Sequence, residues 1–393
     1  MHEEVGADSA KDLEFMKILI AGDYCQIYRV DTAIREKRYG DVFDDVKDTI
    51  RGADYSIVNF EFPIVVNEET AKPIGKAGPH LKGTLESVSA IKYAGFNCCT
   101  LANNHILDQG VQCCLDTKSA LEKSDVDTVG AGINEEDASK VLYKFINGEK
   151  IGIINCCEHE FSIASSYSAG ANPLNIIRQY KTIHEAKGNA NYVMVIIHGG
   201  PEHYQLPTPR MQEIYRFFID AGADAIINHH QHCFSGYEIY GNKPIFYGLG
   251  NFCFDDLKER TGTWTQGYMV TLEFKNGETL IDKITPYTQC ADSVGVYHLK
   301  EKNEFYKTLD NLNLKISSSD ALRKAAEEYY NTCSKTIMDG YFPNRFRIWN
   351  LLHRLHLMPR CFNRQRYFQF LNFMECESHL DKQTYLLRKF LNI

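Results

Sequence analysis

Two short apolar runs in the middle of the chain each end in histidine. Val193–Ile197 stops at His198 and a pair of glycines, and Ala223–Ile227 stops at the segment Asn228–His232, which holds three further histidines. Runs of this length and composition predict buried strands. Open α/β sheets carry their chemistry at the carboxyl ends of such strands. The stretch therefore predicts half of a metal site.

The first third of the chain repeats this pattern with carboxylate, amide and imidazole groups. The polar side chains that follow the predicted strands 17–21, 53–60 and 96–101 are Asp23, Glu61, Asn104 and His105. Together with His198, His230 and His232 they form a ligand set that suits hard to borderline divalent metals. One carboxylate between two subsites can bridge two ions about 3.5–4 Å apart, the spacing used in hydrolytic displacements.

Two residues are candidates for catalysis, and several candidates have ordinary alternatives. His105 stands beside Asn104 and could protonate a leaving group. Glu202 follows His198 closely, although it could equally be a surface loop residue. His198 alone could be a satisfied buried histidine. For Asp108 we favour a cap on the helix that begins near residue 110.

The order of the predicted elements favours an α/β protein. Strands and helices alternate up to His232, which predicts a sheet covered by helices on both faces. Short strands joined by tight turns follow, at 236–240, 244–247, 267–274 and 279–286. They predict an antiparallel extension, so we expect mixed sheets packed as a sandwich with flanking helices.

Three regions are expected along the chain: an irregular leader or tail at 1–15, a main domain at 16–298 and a helical region at 299–393. The polar loop 68–83 is a candidate lid. The segment 341–393 holds nine Lys or Arg against three Asp or Glu, and aromatic residues such as Phe342, Phe346, Trp349 and Phe373. We favour an appendage that packs its aromatics on the core. The alternative is a basic docking surface for a partner, an anionic polymer or a membrane face.

Composition excludes some functions. The net charge of −8 makes nucleic acid an unexpected partner. No apolar run reaches the roughly 18–20 residues of a transmembrane segment. Thirteen cysteines, several in adjacent pairs, favour reduced thiols. Because no signal peptide is recognisable, we expect a cytoplasmic protein.

An ordered set of motifs resembles the CapA family of capsule and poly-γ-glutamate synthesis proteins, a branch similar to the calcineurin-type metallophosphoesterases. The resemblance covers roughly 17–286. The motifs that carry it are Gly22-Asp23, Asn59-Phe60-Glu61-Phe62-Pro63, Leu101-Ala102-Asn103-Asn104-His105 with Asp108 and Gly110, Val129-Gly130-Ala131-Gly132, His198-Gly199-Gly200-Pro201-Glu202, Ala221-Gly222-Ala223-Asp224, His230-Gln231-His232 and Tyr247-Gly248-Leu249-Gly250-Asn251-Phe252. The resemblance implies a four-layer α/β/β/α sandwich, but it does not cover the helical region at 299–393. It also implies two divalent ions, such as Mn, Zn or Fe, at the strand ends.

The resemblance further implies roles for the candidate residues. Asp23 and His232 would serve one ion, and Asn104, His198 and His230 the other. Glu61 would bridge them, and His105 would donate a proton. Where metallophosphoesterases carry Asp-x-His, this chain has Asp23-Tyr24-Cys25, so Cys25 could ligate a softer metal.

Two functions are compatible with these observations. One is a metal-dependent hydrolase, linked to capsule polysaccharide or poly-γ-glutamate synthesis, that cleaves a phosphoester or an amide or ester bond of an anionic polymer. The other is a non-catalytic protein that binds polymer or scaffolds the capsule-synthesis machinery through its basic C-terminal region.

Overall fold

Two mixed β-sheets lie face to face in this protein, and helices cover the two outer faces. The computed structural model describes residues 15–258, 260–341 and 364–391. One core cluster lies largely between the two sheets and continues under the helices outside the second sheet. The other lies between the first sheet and its helices. The predicted four-layer α/β/β/α sandwich is confirmed.

The strands are divided between an eight-stranded sheet, a six-stranded sheet and a two-stranded ribbon. The eight-stranded sheet has the order β16-β15-β14-β1-β2-β3-β4, with β13 also paired to β1, and its strands are β1 (Met16–Cys25), β2 (Tyr55–Phe60), β3 (Cys98–Thr100), β4 (Asp127–Val129), β13 (Asn251–Phe254), β14 (Gln266–Lys275), β15 (Glu278–Gln289) and β16 (Val296–His298). The six-stranded sheet has the order β11-β12-β10-β9-β7-β6, and its strands are β6 (Leu142–Ile146), β7 (Glu149–Cys157), β9 (Tyr192–His198), β10 (Ala225–His229), β11 (Tyr237–Tyr240) and β12 (Lys243–Phe246). The ribbon pairs β5 (Ala131–Gly132) with β8 (Gly170–Ala171).

The helices fall into a group around the first sheet, a group on the second sheet and a C-terminal group. They are α1 (Tyr28–Arg35), α2 (Tyr39–Phe43), α3 (Lys47–Arg51), α4 (Glu86–Ala94), α5 (Val111–Glu122), α6 (Glu135–Ala138), α7 (Ile176–Asn189), α8 (Pro209–Asp220), α9 (Asn303–Ser317), α10 (Ser319–Tyr341), α11 (Arg364–Glu375) and α12 (Glu377–Leu391), with a 3₁₀ turn at Gly262–Thr265.

The central strand β1 shows how the sequence builds the layers. Ile18 and Ile20 lie in the cluster between the sheets, whereas Leu19 and Ala21 lie in the cluster under the helices. Successive side chains of a strand point to opposite faces. A strand that is buried on both faces has a continuous apolar sequence, and such a sequence at 17–21 predicts this strand.

Two local predictions were wrong in extent. The apolar spacing of Val42, Val46 and Ile50 predicts one helix over 39–51, but the structure has two short helices, α2 and α3, with a turn between them. Val42, Val46 and Ile50 all remain buried in one cluster, so the bend preserves the contacts that the periodicity predicted. Strand β1 continues past Ala21 to Cys25 because β13 pairs with its second half.

The described part of the C-terminal region is helical, as predicted. Helix α9 packs on β11, α10 packs on α8 and α9, and α12 packs on both α10 and α11. Phe373 is buried, as the packing interpretation predicts. The predictions for Phe342, Phe346 and Trp349, and for residues 1–14, lie outside the described residues. Of the described helices, none has the length and apolar character needed to cross a membrane.

Candidate metal centre

A close backbone approach fixes the position of Asp23. A Cβ atom on Gly22 would lie 1.7 Å from the carbonyl oxygen of Gly250, so only glycine fits at this point of β1. The Asp23 amide donates a hydrogen bond to the same oxygen at 3.3 Å. Asp23 then pairs with Asn251 across the two strands, with irregular pairing on either side. The glycines of the two motifs therefore set the carboxylate at the strand end.

The histidines come from the ends of two neighbouring strands. His198 ends β9, and the loop after β10 carries His230 and His232. Both loop residues have positive φ angles, 88° and 55°, which residues other than glycine rarely adopt. The Asn228 side chain holds this loop by donating to the carbonyl of Gly199 at 2.8 Å. Backbone strain of this kind is typical of functional sites.

The first group of ligand atoms joins Asp23, Glu61 and His232, whose candidate atoms all lie within 4.8 Å of one another. His232 Nδ1 is 3.8 Å from Asp23 Oδ2, and His232 Nε2 is 3.9 Å from Glu61 Oε1. Asn251 Oδ1 lies 2.9 Å from His232 Nδ1 and orients the ring. These three residues are the ones expected around one ion.

The second group joins Glu61, His198 and His230. His198 Nε2 lies 3.7 Å from Glu61 Oε1 and 3.0 Å from His230 Nδ1. The Asn104 side-chain oxygen lies 3.1 Å from the same His198 nitrogen. Glu61 thus belongs to both groups, and the residues expected around the other ion converge on it.

The chemistry of these residues fits divalent cations. Glu61 Oε1 is buried and has no hydrogen-bond partner among the described residues. Burial raises the pKa of Glu61 well above its ordinary value, and the Asp23 carboxylate raises it further. Burial lowers the pKa of His198 and of His232, which favours the neutral imidazoles that bind metals. A cation would supply the charge that keeps Glu61 ionised, so these buried groups could hold metal.

Cys25 is not brought into either group. It lies in the core cluster between the first sheet and its helices, and burial raises the pKa of its thiol well above the ordinary value. A thiolate is the form that ligates metal, and this environment disfavours it. The pairing irregularity after Asp23 separates the two side chains. The structure therefore gives no support to Cys25 as a ligand.

His105 lies beside Asn104 in a buried network. Its Nδ1 is 2.6 Å from Asp108 Oδ2 and 3.1 Å from Lys76 Nζ. Burial lowers the pKa of His105, Lys76 lowers it further, and Asp108 opposes both.

The prediction that Asp108 caps a helix was wrong. Gly110 is the residue that precedes α5, and no side chain caps this helix. Asp108 instead accepts hydrogen bonds from Lys76 and the Leu81 amide and lies against His105.

Glu202 lines a cavity that adjoins the second group through His230. The cavity has a volume of about 350 Å³ and is also lined by Asn104, His105 and His230. Glu202 is an exposed residue of this lining. Partial desolvation opposes its ionisation, but the imidazoles of His230 and His232 outweigh this and lower its pKa. The polar loop predicted as a lid contributes residues 76–79 to the same cavity.

Sequence reasoning missed three polar residues of the site. Asn59 donates to Asp23 Oδ1 at 2.8 Å and lies 3.2 Å from His198 Nδ1. Glu160 accepts from the Asn104 amide at 2.9 Å. Asn251 orients His232 through its side-chain oxygen. Asn59 and Asn251 stood inside recognisable motifs, whereas no pattern around Glu160 indicated a role.

Comparison with known protein families shows the family of this chain. A sequence model of the bacterial capsule synthesis protein PGA_cap matches residues 17–256. The chain belongs to this family. It is 31% identical over 316 residues to the capsule biosynthesis protein CapA of Bacillus anthracis, covering 78% of this chain and 76% of that protein. It is 32% identical over 284 residues to the PGA biosynthesis protein CapA of Bacillus subtilis, covering 71% and 72%.

Solved structures with a similar arrangement are more distant. A putative 5'-nucleotidase from Staphylococcus aureus aligns with a TM-score of 0.47 and 14% identity, covering 76% of this chain and 58% of that one. A 5'-nucleotidase precursor from Thermus thermophilus aligns with a TM-score of 0.43 and 11% identity, covering 73% and 55%.

Proposed function

We propose that this protein is a metal-dependent hydrolase that acts in the synthesis of capsule or poly-γ-glutamate. Its substrate would be a phosphoester, or an amide or ester bond of an anionic polymer. One observation carries the proposal. Two groups of ligand atoms share Glu61, whose Oε1 has no hydrogen-bond partner among the described residues, and a cavity lined by His105 and by the ligand candidate His230 adjoins them.

Five residues form the basis of the proposed centre. Asp23 and His232 would hold one ion, His198 and His230 the other, and Glu61 both. Two ions of this kind lower the pKa of a shared water and stabilise a developing oxyanion. Asn104 would complete the second set.

His105 and Glu202 would carry the proton transfers. His105 is held by Asp108 through Nδ1 at 2.6 Å and lines the cavity. Its other ring nitrogen makes no hydrogen bond to a described residue, so it would be available to donate to a leaving group. Glu202 remains ionised beside the histidines and can accept a proton or a hydrogen bond from the attacking water. The His105–Asp108 pair would therefore act as the acid and Glu202 as the acceptor.

Cells that depend on this protein for polymer production provide the test. Glu61→Ala and His105→Ala should each abolish polymer at unchanged protein level, because one removes the shared ligand and the other the proton donor. Glu69→Ala, at an exposed carboxylate of the loop 68–83, is the matched control. Normal polymer in both site variants would contradict catalysis and favour a scaffolding role.

A further inference from the structure

The cavity that adjoins the candidate metal centre at His230 has two walls of different origin. One wall consists of strand-end loops that carry Asn104, His105 and His230. The other consists of residues from α10, α11 and α12, among them Tyr329 and Lys382. This second wall lies beyond residue 256, where the family match ends. The volume of about 350 Å³ is in the range of small-molecule sites and leaves room for more than the reacting group.

Lys382 is a buried cation of this cavity. The residue is only 8% exposed, and its Nζ lies 5.8 Å from the centre of the Tyr329 ring. It makes no hydrogen bond or ion pair with any residue that the structure describes. Lys76, which lines the same cavity, is by contrast paired with Asp108 at 2.5 Å. The carboxylates of Glu160 and Glu202 line the same cavity, but neither lies within ion-pair distance of Lys382 Nζ. A largely buried ammonium that makes no ion pair with a described residue is costly, so Lys382 is suited to an incoming anion.

Two of the three helices that carry this wall, α11 and α12, are firmly attached to the main domain, and we call them the C-terminal hairpin. Arg210 of α8 bridges Asp381 at 2.8 Å and Glu158 at 2.7 Å. Asp381 directly precedes Lys382 in α12. The Asn372 amide donates to Glu160, which also accepts from Asn104 in the other wall. These contacts fix Lys382 relative to the metal centre.

We propose that the C-terminal hairpin provides an anion-binding subsite, centred on Lys382, for a second negative group of the substrate. The inference rests on the proposed function, because it assumes that the metal centre holds the reacting group. A carboxylate of a neighbouring polymer unit and a phosphate share the chemistry required. The subsite selects substrates that carry two anions close together. It also assigns the hairpin to the site rather than to a separate docking surface.

Calorimetric binding to the purified full-length protein with its metal tests the subsite. Two probes distinguish the source of the anion: a γ-linked tri-glutamate and inorganic pyrophosphate. Lys382→Met should lower the affinity for the probe by about tenfold or more, as expected for the loss of a charged hydrogen bond. Lys382→Arg should restore most of the affinity because it keeps the charge. Lys389→Met, on an exposed lysine of the same helix outside the cavity, is the matched control.

The outcomes separate this proposal from the proposed function. A loss confined to tri-glutamate identifies a carboxylate subsite, and a loss confined to pyrophosphate identifies a phosphate subsite. Equal affinities of folded Lys382→Met and wild type for both probes would overturn the subsite, even if the enzyme turns over. Equal losses in Lys389→Met and Lys382→Met would overturn it as well. A selective loss in a protein without hydrolytic activity would preserve the subsite and refute the hydrolase.

Discussion

Glu61 is the residue on which the candidate centre depends. It is fully buried, one of its oxygens lacks a partner among the described residues, and it is near ligand atoms of both groups. A carboxylate in this environment is unfavourable unless a cation offsets its charge. The metal-free protein should therefore hold a proton on Glu61 and release it when metal binds.

Glu61→Gln tests this at the residue scale. The folded-state pKa of Glu61 is raised above the ordinary 4.5, so metal-free wild type loses stability as pH rises from that value through the raised pKa. The neutral glutamine removes this loss but binds metal poorly. We expect metal-free Glu61→Gln to unfold at equal or higher denaturant concentration than wild type at neutral pH. Metal should stabilise wild type and not the variant.

The matched control for that experiment is Glu69→Gln, an exposed carboxylate. It should behave as wild type in both states. Metal-free Glu61→Gln that is clearly less stable than wild type, or a variant stabilised by metal as strongly as wild type, would contradict the assignment of Glu61.

His105→Asn tests the proposed proton donor. Loss of a general acid typically lowers the rate about 10²–10⁴-fold, and the effect should appear with an alkoxide leaving group rather than with p-nitrophenolate. Because burial and Lys76 lower the pKa of His105, the wild-type rate should fall as pH rises through a value below the ordinary 6.5. The variant should lack this limb in steady-state rates. His184→Asn, at an exposed site on α7, is the control.

The limits of sequence reasoning are visible at this scale. Asp23, Asn104 and His198 were found because polar residues at strand ends converge on one edge of a sheet. Glu160 was missed because it lies in a loop after β7 and acquires its contacts only when distant segments assemble. Its position depends on tertiary contacts that no local pattern encodes.

At the scale of elements, the C-terminal hairpin is attached through a contact sensitive to pH. His159, in the loop after β7, lies 2.6 Å from Glu377 at the start of α12. Its amide also donates to the other Glu377 oxygen at 2.9 Å. The hydrogen bond to Glu377 raises the pKa of His159 above 6.5. The contribution of the His159–Glu377 pair to the stability of the protein is complete below the pKa that His159 has in the unfolded chain. It is lost as pH rises through the higher pKa that His159 has in the folded protein.

Glu377→Gln should accordingly destabilise the protein more at pH 5.5 than at pH 8.5. The difference should be about 0.5 kcal/mol, because His159 is partly exposed and solvent screens the pair. Urea unfolding at the two pH values measures it. Glu213→Gln, an exposed carboxylate on α8, should show no such difference. A loss of unfolding free energy in Glu377→Gln that is equal at both pH values would show that the charge of His159 does not stabilise this contact.

The helical content of the hairpin could be predicted from sequence, but its position could not. Helical periodicity and buried aromatics such as Phe373 indicated an appendage that packs on the core. That this appendage lines the cavity depends on ion pairs such as Arg210 with Asp381, whose partners lie 171 residues apart. Pairings over such distances leave no mark in local periodicity.

At the scale of the whole molecule, the candidate centre exists only where the two sheets meet. Asp23 and Glu61 come from the first sheet, and the histidines come from the end of the second. The alternation of elements predicted the sandwich, and the ordered motifs predicted which strand ends would meet. The closure of the cavity by the C-terminal hairpin was outside both patterns.

A metal titration of hydrolysis tests the central claim most directly. Chelator-stripped protein would receive Mn²⁺ in increments while the hydrolysis of bis(p-nitrophenyl) phosphate and of poly-γ-glutamate is followed. We predict no turnover without metal, and a rate toward at least one substrate that rises to a plateau near two equivalents, as a dinuclear centre requires. Turnover that persists after stripping, or no turnover of either substrate with the metal bound, would contradict the account.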